Sequence, residues 1–282
     1  MFDRPRTSSQ PVPRRARVHA VRALTGTMVR TTLRDADGAD PAAPSSLAAL
    51  RAPGPEDHVK VFLPDPATGA LHAPTLAPDG GLQRATGGVS VSREMTVRAT
   101  RTVDGAAEVD VDWVRHDGGG PASAWAARAA VGDEIVLAGP ASSLGVPTGI
   151  GRLTLVVDET GLPAAARWVD AVGADVPVTA IVEIGDDVDE SFVEAELGRA
   201  DVEILYRTDG PGQMVESVRS LGALDDDEYV VALGEAGELA AVRRCLRQDL
   251  GLGRDRATVA GYWRRGTVNL DPDAPLDPAD PD

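Results

Sequence analysis

Residues 152–184 read RLTLVVDETGLPAAARWVDAVGADVPVTAIVEI and combine three patterns in a row. Residues 152–160 are nearly continuous in apolar side chains and predict a buried strand that ends in Asp158, Glu159 and Thr160. Residues 162–172 predict a helix, and residues 177–184 predict a second apolar strand. Alternation of buried strands and helices is typical of a parallel sheet with helices on its faces.

The residues that follow continue this alternation. Further strands are predicted at residues 202–207, 229–234 and 257–263, and helices at residues 192–198, 212–221 and 236–250. We therefore predict an α/β domain over residues 150–270.

Upstream of this domain the segments become short, β-branched and partly alternating. In residues 107–116, AEVDVDWVRH, the apolar Val109, Val111 and Trp113 alternate with acidic neighbours, which is typical of an antiparallel strand with one face towards a core. Similar strands are predicted at residues 17–24, 28–35, 58–63, 89–100 and 134–140, and one short helix at residues 121–129. An all-β half with a single helix predicts a closed barrel over residues 16–142, with the domain boundary between Pro140 and Gly151.

Length and terminal composition agree with two domains. The chain has 282 residues, and one domain typically has about 150. Residues 1–15 are rich in Pro, Ser and Arg, and residues 271–282 are almost entirely Pro and Asp, so both ends are predicted to be flexible tails.

Charge and cysteine content exclude several classes of function. The formal charge of −16, from 44 acidic and 28 basic residues, argues against a nucleic-acid partner. Cys245 is the single cysteine, which rules out an internal disulfide and a cysteine-based metal site, and we expect a buried thiol and no metal. The start of the chain lacks the apolar run of a signal peptide, and no window offers the roughly 20 apolar residues of a membrane span, so we expect a cytoplasmic protein. We also expect a monomer.

A candidate anion site follows the barrel strands. Gly118, Gly119 and Gly120 lead into Pro121 at a helix start, where backbone N–H groups and the positive end of the helix dipole favour a phosphate. Arg93 lies on the strand before this loop and could reach the same phosphate. The alternative interpretation is a hairpin exit with Ser123 capping the helix and Arg93 exposed on its strand.

Five ordered motifs connect these observations. They are R-x-x-T from Arg93, V-D-W-V-x-H followed by G-G-P-A-S-x-W-A, D-E-T-x-L-P-A from Asp158, G-E-A-G from Gly234, and G-Y-W-R-R-G from Gly261. In order and spacing the chain, from about Arg17 to Gly266, resembles the siderophore-interacting protein family. These proteins are flavin-dependent ferric-siderophore reductases related to ferredoxin reductases.

The resemblance implies a six-stranded antiparallel barrel that binds FAD, followed by an α/β domain of the nicotinamide-reductase type. It also implies NAD(P)H or ferredoxin as electron donor and a ferric siderophore as substrate. The cofactor-binding residues that it implies are Arg93, Met95, Thr96, Val97, His116, Gly120, Pro121, Ala122, Ser123, Asp158 and Thr160. The substrate-binding residues that it implies are His58, Lys60, Tyr262, Trp263, Arg264 and Arg265. No side chain is expected to act as acid, base or nucleophile, because the flavin carries the chemistry.

One position departs from the family pattern. The family motif R-x-Y-[ST] places a tyrosine on the isoalloxazine ring, whereas this chain has Met95. A thioether can lie against an aromatic ring but offers less stacking area than a phenol. Two further hypotheses therefore remain: a redox-silent protein that binds a siderophore or other small ligand without flavin, and an oxidoreductase that acts on another acceptor.

Overall fold

The computed structural model describes residues 2–77, 81–85, 87–88, 90–116, 120–185, 188, 190–271, 274–277 and 279. The chain divides into a barrel unit, Arg6–Gly145, and an α/β unit formed by Met1–Pro5 together with Val146–Asp282. Within the described residues, no helix is long and apolar enough to cross a membrane.

The barrel unit consists mainly of antiparallel strands. Its elements are β1 (Arg6–Ser8), β2 (Pro13–Ala23), β3 (Met28–Asp35), β4 (His58–Leu63), β5 (Thr75–Leu76), β6 (Leu82–Gln83), β7 (Val91–Thr96), β8 (Ala99–Val103), β9 (Ala106–Val114), α1 (Pro121–Ala126), β10 (Glu134–Ala138) and β11 (Ser142–Leu144). A short 3-10 helix covers Leu47–Ala49. The main sheet has the order β7-β4-β10-β2-β3-β9-β8.

The main sheet has seven strands rather than the predicted six. The difference arises at Val97 and Arg98, where one continuous segment divides into β7 and β8. The Val97 N–H donates to the Asp57 carbonyl beside β4, and the Arg98 N–H donates to the Asp110 carbonyl on β9, both at 2.9 Å. The two end strands of the sheet are thus consecutive in the chain, and the sheet curls around a single core.

Strand β9 shows why the barrel forms. Its Val109, Val111 and Trp113 are buried in the core, as the alternating pattern predicts, and the Trp113 ring lies 4.7 Å from the Trp125 ring of α1. The acidic side chains that alternate with them lie on the opposite face of β9 and form ion pairs there. Arg30 forms a paired contact with Asp112, both atom pairs at 2.6 Å, and so compensates the cost of covering that carboxylate.

The α/β unit has a five-stranded parallel sheet in the order β14-β13-β12-β15-β16. Its elements are β12 (Arg152–Asp158), α2 (Leu162–Ala171), β13 (Val178–Ile184), α3 (Glu190–Leu197), β14 (Asp201–Tyr206), α4 (Gln213–Ser220), β15 (Glu228–Glu235), α5 (Ala236–Arg244) and β16 (Ala257–Trp263). A π-helical turn, Cys245–Asp249, continues α5, and short 3-10 helices cover Arg207–Asp209 and Arg254–Arg256. Cys245 is buried, as predicted, and burial raises the pKa of its thiol.

The N-terminal residues are not the flexible tail that their composition predicts. Residues Arg6–Ser8 pair with Ser142–Leu144 as β1 and β11, and β2 begins at Pro13. In the α/β unit, the Arg4 guanidinium lies 5.0 Å from the centre of the Trp168 ring. Polar composition favours disorder only where no partner is available, and here a strand and an aromatic ring supply one.

The described part of the C-terminal segment is also docked. Leu276 packs against the core of the α/β unit, and Asp277 forms an ion pair of 3.1 Å with Arg244. The prediction of a flexible tail is therefore wrong for residues 274–277. Local composition could not reveal this, because the apolar surface that receives Leu276 is built from distant segments.

Candidate functional site

Arg93 and the start of α1 come together in the barrel unit. Gly120 is the N-cap of α1 and Pro121 occupies its first turn. A Cβ built on Gly120 would lie 3.2 Å from Nη2 of Arg93, so the guanidinium stands directly beside the helix start. Burial lowers the pKa of the Arg93 guanidinium. A cation and a helix start converge here, as an anion site requires.

Ser123 has a role that differs from helix capping. Its hydroxyl accepts a hydrogen bond from the His116 N–H at 3.0 Å and donates to the His116 carbonyl at 3.3 Å. Ser123 therefore joins the end of the segment after β9 to the first turn of α1. The side chain of His116 is exposed. Gly118 and Gly119, which the sequence analysis placed in this loop, lie outside the described residues.

The other predicted cofactor residues lie on β7 or directly after it, and they differ in how deeply they are buried. Met95 is half-buried and packs against the core of the barrel, together with Ala122 of α1. Thr96 is half-buried. Val97 differs from both, because its side chain is fully buried in the core and its N–H is used in the sheet. We therefore assign Val97 to the barrel core rather than to cofactor contact.

Two predicted substrate residues lie on β4. Lys60 faces Glu94 across the β4–β7 pair, with 3.1 Å between Nζ and Oε1. Glu94 thus points away from the face that carries Arg93 and Met95, and its charge is paired. His58 is exposed, and its Nδ1 lies 3.2 Å from the Glu56 carbonyl oxygen.

The second group of predicted residues lies at the carboxyl edge of the parallel sheet, where ligands of α/β proteins usually bind. Asp158 ends β12 and has no exposed surface. Its Oδ1 accepts hydrogen bonds from the Thr160 N–H at 2.8 Å and hydroxyl at 2.5 Å, and its Oδ2 accepts one from Trp263 Nε1 at 2.7 Å. Burial, together with the nearby Glu159, raises the pKa of Asp158 to about 6.

Arg207 links two further carboxylates at this edge. Its guanidinium forms a two-pronged contact with Glu159 and donates from Nε to Glu183 at 3.0 Å. Hydrogen bonding to Glu159 raises the pKa of Arg207, whereas burial raises the pKa of Glu183. One guanidinium therefore pairs with two carboxylates inside the unit and offsets part of their negative charge.

The G-Y-W-R-R-G motif is anchored where β16 ends. The Arg265 N–H donates to Oε1 of Glu235 at 2.9 Å, and the Arg264 guanidinium donates to the Leu276 carbonyl at 2.7 Å. Tyr262, Trp263 and Arg264 are half-buried, and Arg265 is exposed. Arg265 is therefore the arginine of this motif whose side chain is more accessible to a ligand.

Sequence reasoning missed Glu235 and Arg207 as parts of this edge. Glu235 stands inside the quoted G-E-A-G motif, so its position was marked, but its bond to Arg265 connects residues 30 apart. Arg207 carried no local signal, because its partners belong to other parts of the chain: Glu159 directly follows β12, and Glu183 lies near the end of β13. Among the described residues, no group of three or more His, Cys, Asp or Glu side chains could hold a metal ion.

Comparison with known families resolves the identity of both units. Residues 17–144 match the siderophore-interacting FAD-binding domain, and residues 151–266 match the siderophore-interacting protein domain. A solved siderophore utilization protein from T. fusca is 34% identical, with a TM-score of 0.80, and the match covers 96% of this chain and 100% of that one. The chain belongs to the siderophore-interacting protein family.

Two curated relatives of this siderophore-interacting protein extend the comparison. The NADPH-dependent ferric-chelate reductase of Escherichia coli (strain K12) is 29% identical over 215 residues, which are 74% of this chain and 80% of that protein. An uncharacterized protein of Mycobacterium bovis is 32% identical over 187 residues, or 62% of this chain. The match spans 65% of the length of that mycobacterial relative. Membership of the family confirms an antiparallel β domain followed by an α/β domain and supplies FAD as the cofactor. The β domain is a curled seven-stranded sheet rather than the closed six-stranded barrel that the sequence predicted.

Proposed function

We propose that this protein is a flavin-dependent reductase that converts a ferric siderophore to Fe(II). The observation that carries the proposal is the convergence of Arg93 with the Gly120 end of α1, in the part of the chain that matches the family's FAD-binding domain. We assign FAD binding to residues 16–142 and the remaining reductase functions to residues 150–270.

The residues present fit a dinucleotide. At Gly120 a side chain would crowd the Arg93 guanidinium, so the glycine keeps the approach to the helix start open. We propose that Arg93 and the backbone of Gly120, Pro121 and Ala122 hold the pyrophosphate. Ser123 supports them by fixing the loop at His116.

Met95 and Thr96 follow Arg93 on β7, and we propose that they lie beside the isoalloxazine ring. The chemistry that FAD supplies when bound is the passage of electrons from a hydride donor to Fe(III). The protein supplies binding, orientation and a cover against water, and no side chain of this chain needs to exchange a proton with the substrate.

We propose that the ferric chelate is recognised by Tyr262, Trp263, Arg264 and Arg265, with His58 and Lys60 as further substrate residues. The ion pair of Lys60 with Glu94 and the exposure of Arg265 make Arg265 the stronger electrostatic contact. NAD(P)H is the proposed donor, in agreement with the name of the E. coli relative, and ferredoxin is the alternative donor. The protein is proposed to act as a cytoplasmic monomer.

The test begins with the absorption spectrum of the purified protein. A flavin band, or FAD binding by the colourless protein, is expected. Addition of NADPH or NADH with a ferric tris-catecholate and a colorimetric Fe(II) trap is then expected to release two Fe(II) for each hydride donor consumed, because a hydride carries two electrons. A protein that binds no FAD would instead favour the redox-silent hypothesis, which Met95 motivates. Reduction of other acceptors but no ferric chelate would favour the third hypothesis.

A further inference from the structure

The indole of Trp263 is held by a carboxylate that lies wholly inside the α/β unit. Asp158 has no exposed surface, and its two oxygens accept hydrogen bonds from Trp263 Nε1, the Thr160 N–H and the Thr160 hydroxyl. A side chain so placed does not present its oxygens to a cofactor or substrate. Its action on a ligand therefore has to pass through the residues that it holds.

The surroundings of this contact are shaped to admit it. A Cβ on Gly234 would lie 2.7 Å from Oδ2 of Asp158, which leaves no room for a side chain at that position. Gly234 also has a φ of 155°, a conformation that favours glycine. The family motifs that begin at Asp158, Gly234 and Gly261 thus meet at one hydrogen bond.

Trp263 differs from the other tryptophans of the chain. Trp113, Trp125 and Trp168 are buried, whereas Trp263 is partly exposed at the end of β16. An indole pinned through its Nε1 loses rotational freedom before any ligand arrives, and such preorganisation favours binding. Its aromatic face suits a ligand that itself carries aromatic rings.

We propose that Asp158 is a positioning residue that fixes the Trp263 indole at the carboxyl edge of the parallel sheet for recognition of a catecholate-type ferric chelate. The inference rests on the proposed function and specifies its substrate class. A catecholate chelate presents aromatic rings and negative charge, which an indole and the neighbouring Arg265 complement. A hydroxamate chelate of simple alkyl type offers no ring to the indole.

Asp158→Asn isolates the effect because the shape of the side chain is preserved. Asparagine has a single oxygen, so either Trp263 Nε1 or the Thr160 N–H would face another donor. Glu228→Gln is the matched control: Glu228 is a buried carboxylate of the same sheet that accepts a hydrogen bond from Thr154 at 2.6 Å, at the opposite edge. Trp263→Phe keeps a ring and removes the N–H.

The first measurement is acrylamide quenching of tryptophan fluorescence, with the Trp263 component obtained by difference from Trp263→Phe in the same background. Asp158→Asn is expected to raise the quenching constant of that component about twofold, whereas Glu228→Gln leaves it unchanged. An unchanged constant in Asp158→Asn would overturn the proposal. This measurement needs no enzymatic activity, so it also distinguishes failure of this inference from failure of the proposed function.

The second measurement is a kinetic cycle with ferric tris-(2,3-dihydroxybenzoate) and ferric acetohydroxamate as substrates. Asp158→Asn is expected to raise KM for the catecholate about fivefold with kcat within about twofold, and to leave KM for the hydroxamate unchanged. In the Trp263→Phe background the same change should alter KM less than about twofold, because the two residues act as one unit. Additive effects, or equal effects on both chelates, would overturn the proposal. Should Asp158→Asn fail to fold, an unchanged catecholate KM in Trp263→Phe overturns it instead.

Discussion

Arg93 is the side chain on which dinucleotide affinity in the barrel unit is expected to depend. Charge-assisted hydrogen bonds contribute about 1.5–3 kcal/mol each, so Arg93→Ala should weaken FAD binding about tenfold to a hundredfold. The measurement is FAD content after purification and the Kd from titration of the apoprotein. Arg22→Ala, an exposed arginine on β2, is the matched control and should leave both values unchanged. Equal FAD content in Arg93→Ala and the parent protein would remove Arg93 from the cofactor site.

Substitution of Met95 tests whether the departure from the family motif at this position affects FAD binding. If Met95 lies on the flavin ring, Met95→Tyr should tighten FAD binding about twofold to tenfold, because an aromatic pair contributes about 0.5–1.5 kcal/mol beyond burial. Met95→Leu keeps a side chain of similar volume against the barrel core and should change the Kd little. Weaker binding of FAD by the Tyr variant would indicate that the core contacts of Met95, rather than a ring contact, determine its role.

Asp158 also predicts a dependence of stability on pH. Its pKa is raised from 3.8 to about 6 in the folded protein, chiefly by burial, so between these values the folded state binds more protons than the unfolded state. Stability from this group is therefore present at low pH and is lost as pH rises through about 6, by an amount on the order of 1–3 kcal/mol. Denaturant unfolding at pH 5 and pH 7.5 should show the free energy of unfolding of the parent falling relative to that of Asp158→Asn. A constant difference between the two proteins would contradict the assignment.

Among the elements, the N-terminal segment is the one whose structure departs most from its composition. Arg4 lies over Trp168 and donates to the Thr258 hydroxyl at 2.9 Å, so it links the start of the chain to α2 and β16 of the α/β unit. A cation–π contact contributes about 0.5–2 kcal/mol and a hydrogen bond about 1 kcal/mol. Arg4→Ala should accordingly destabilise the α/β unit by about 1–2 kcal/mol, seen as a lower Tm in near-UV circular dichroism. Arg6→Ala, an exposed change on β1, should leave the Tm unchanged, and an equal Tm for both variants would show that the segment contributes little.

For the whole molecule, the charge of −16 opposes the approach of an anionic chelate. A small cationic patch has to overcome this repulsion, and it acts mainly within a Debye length of about 8 Å at physiological ionic strength. The double change of Arg264 and Arg265 to Ala should therefore raise KM for the ferric tris-catecholate, leave FAD content unchanged, and flatten the salt dependence of kcat/KM. The check is a steady-state series at increasing salt. Identical kinetics for the double variant and the parent would remove both arginines from the substrate site.

The sequence by itself determined the architecture of each half and the position of its motifs. The side chains of β9 alternate with a period of two, and residues 152–184 follow the order strand, helix, strand. Both patterns can be recognised locally, because the spacing of apolar side chains shows which face of an element is buried. The R-x-x-T motif at Arg93 and the glycines that lead into Pro121 were also visible in the chain, because each is a local pattern of residues. The roles given to the site residues remain predictions.

Only the tertiary structure decided which of these residues meet. One segment divides into β7 and β8 at Val97 because its two halves pair with different strands. Residues 2–8 and 274–277 dock on distant parts of the chain, and a hydrogen bond joins Asp158 to Trp263. Polar composition predicted flexible ends because it reports only that these segments have few apolar residues of their own. A docked end is stabilised by contacts with residues of other segments, which its own composition does not report. For the same reason a buried carboxylate at position 158 looks like a ligand in the sequence, whereas in the folded chain its oxygens are engaged by Thr160 and Trp263.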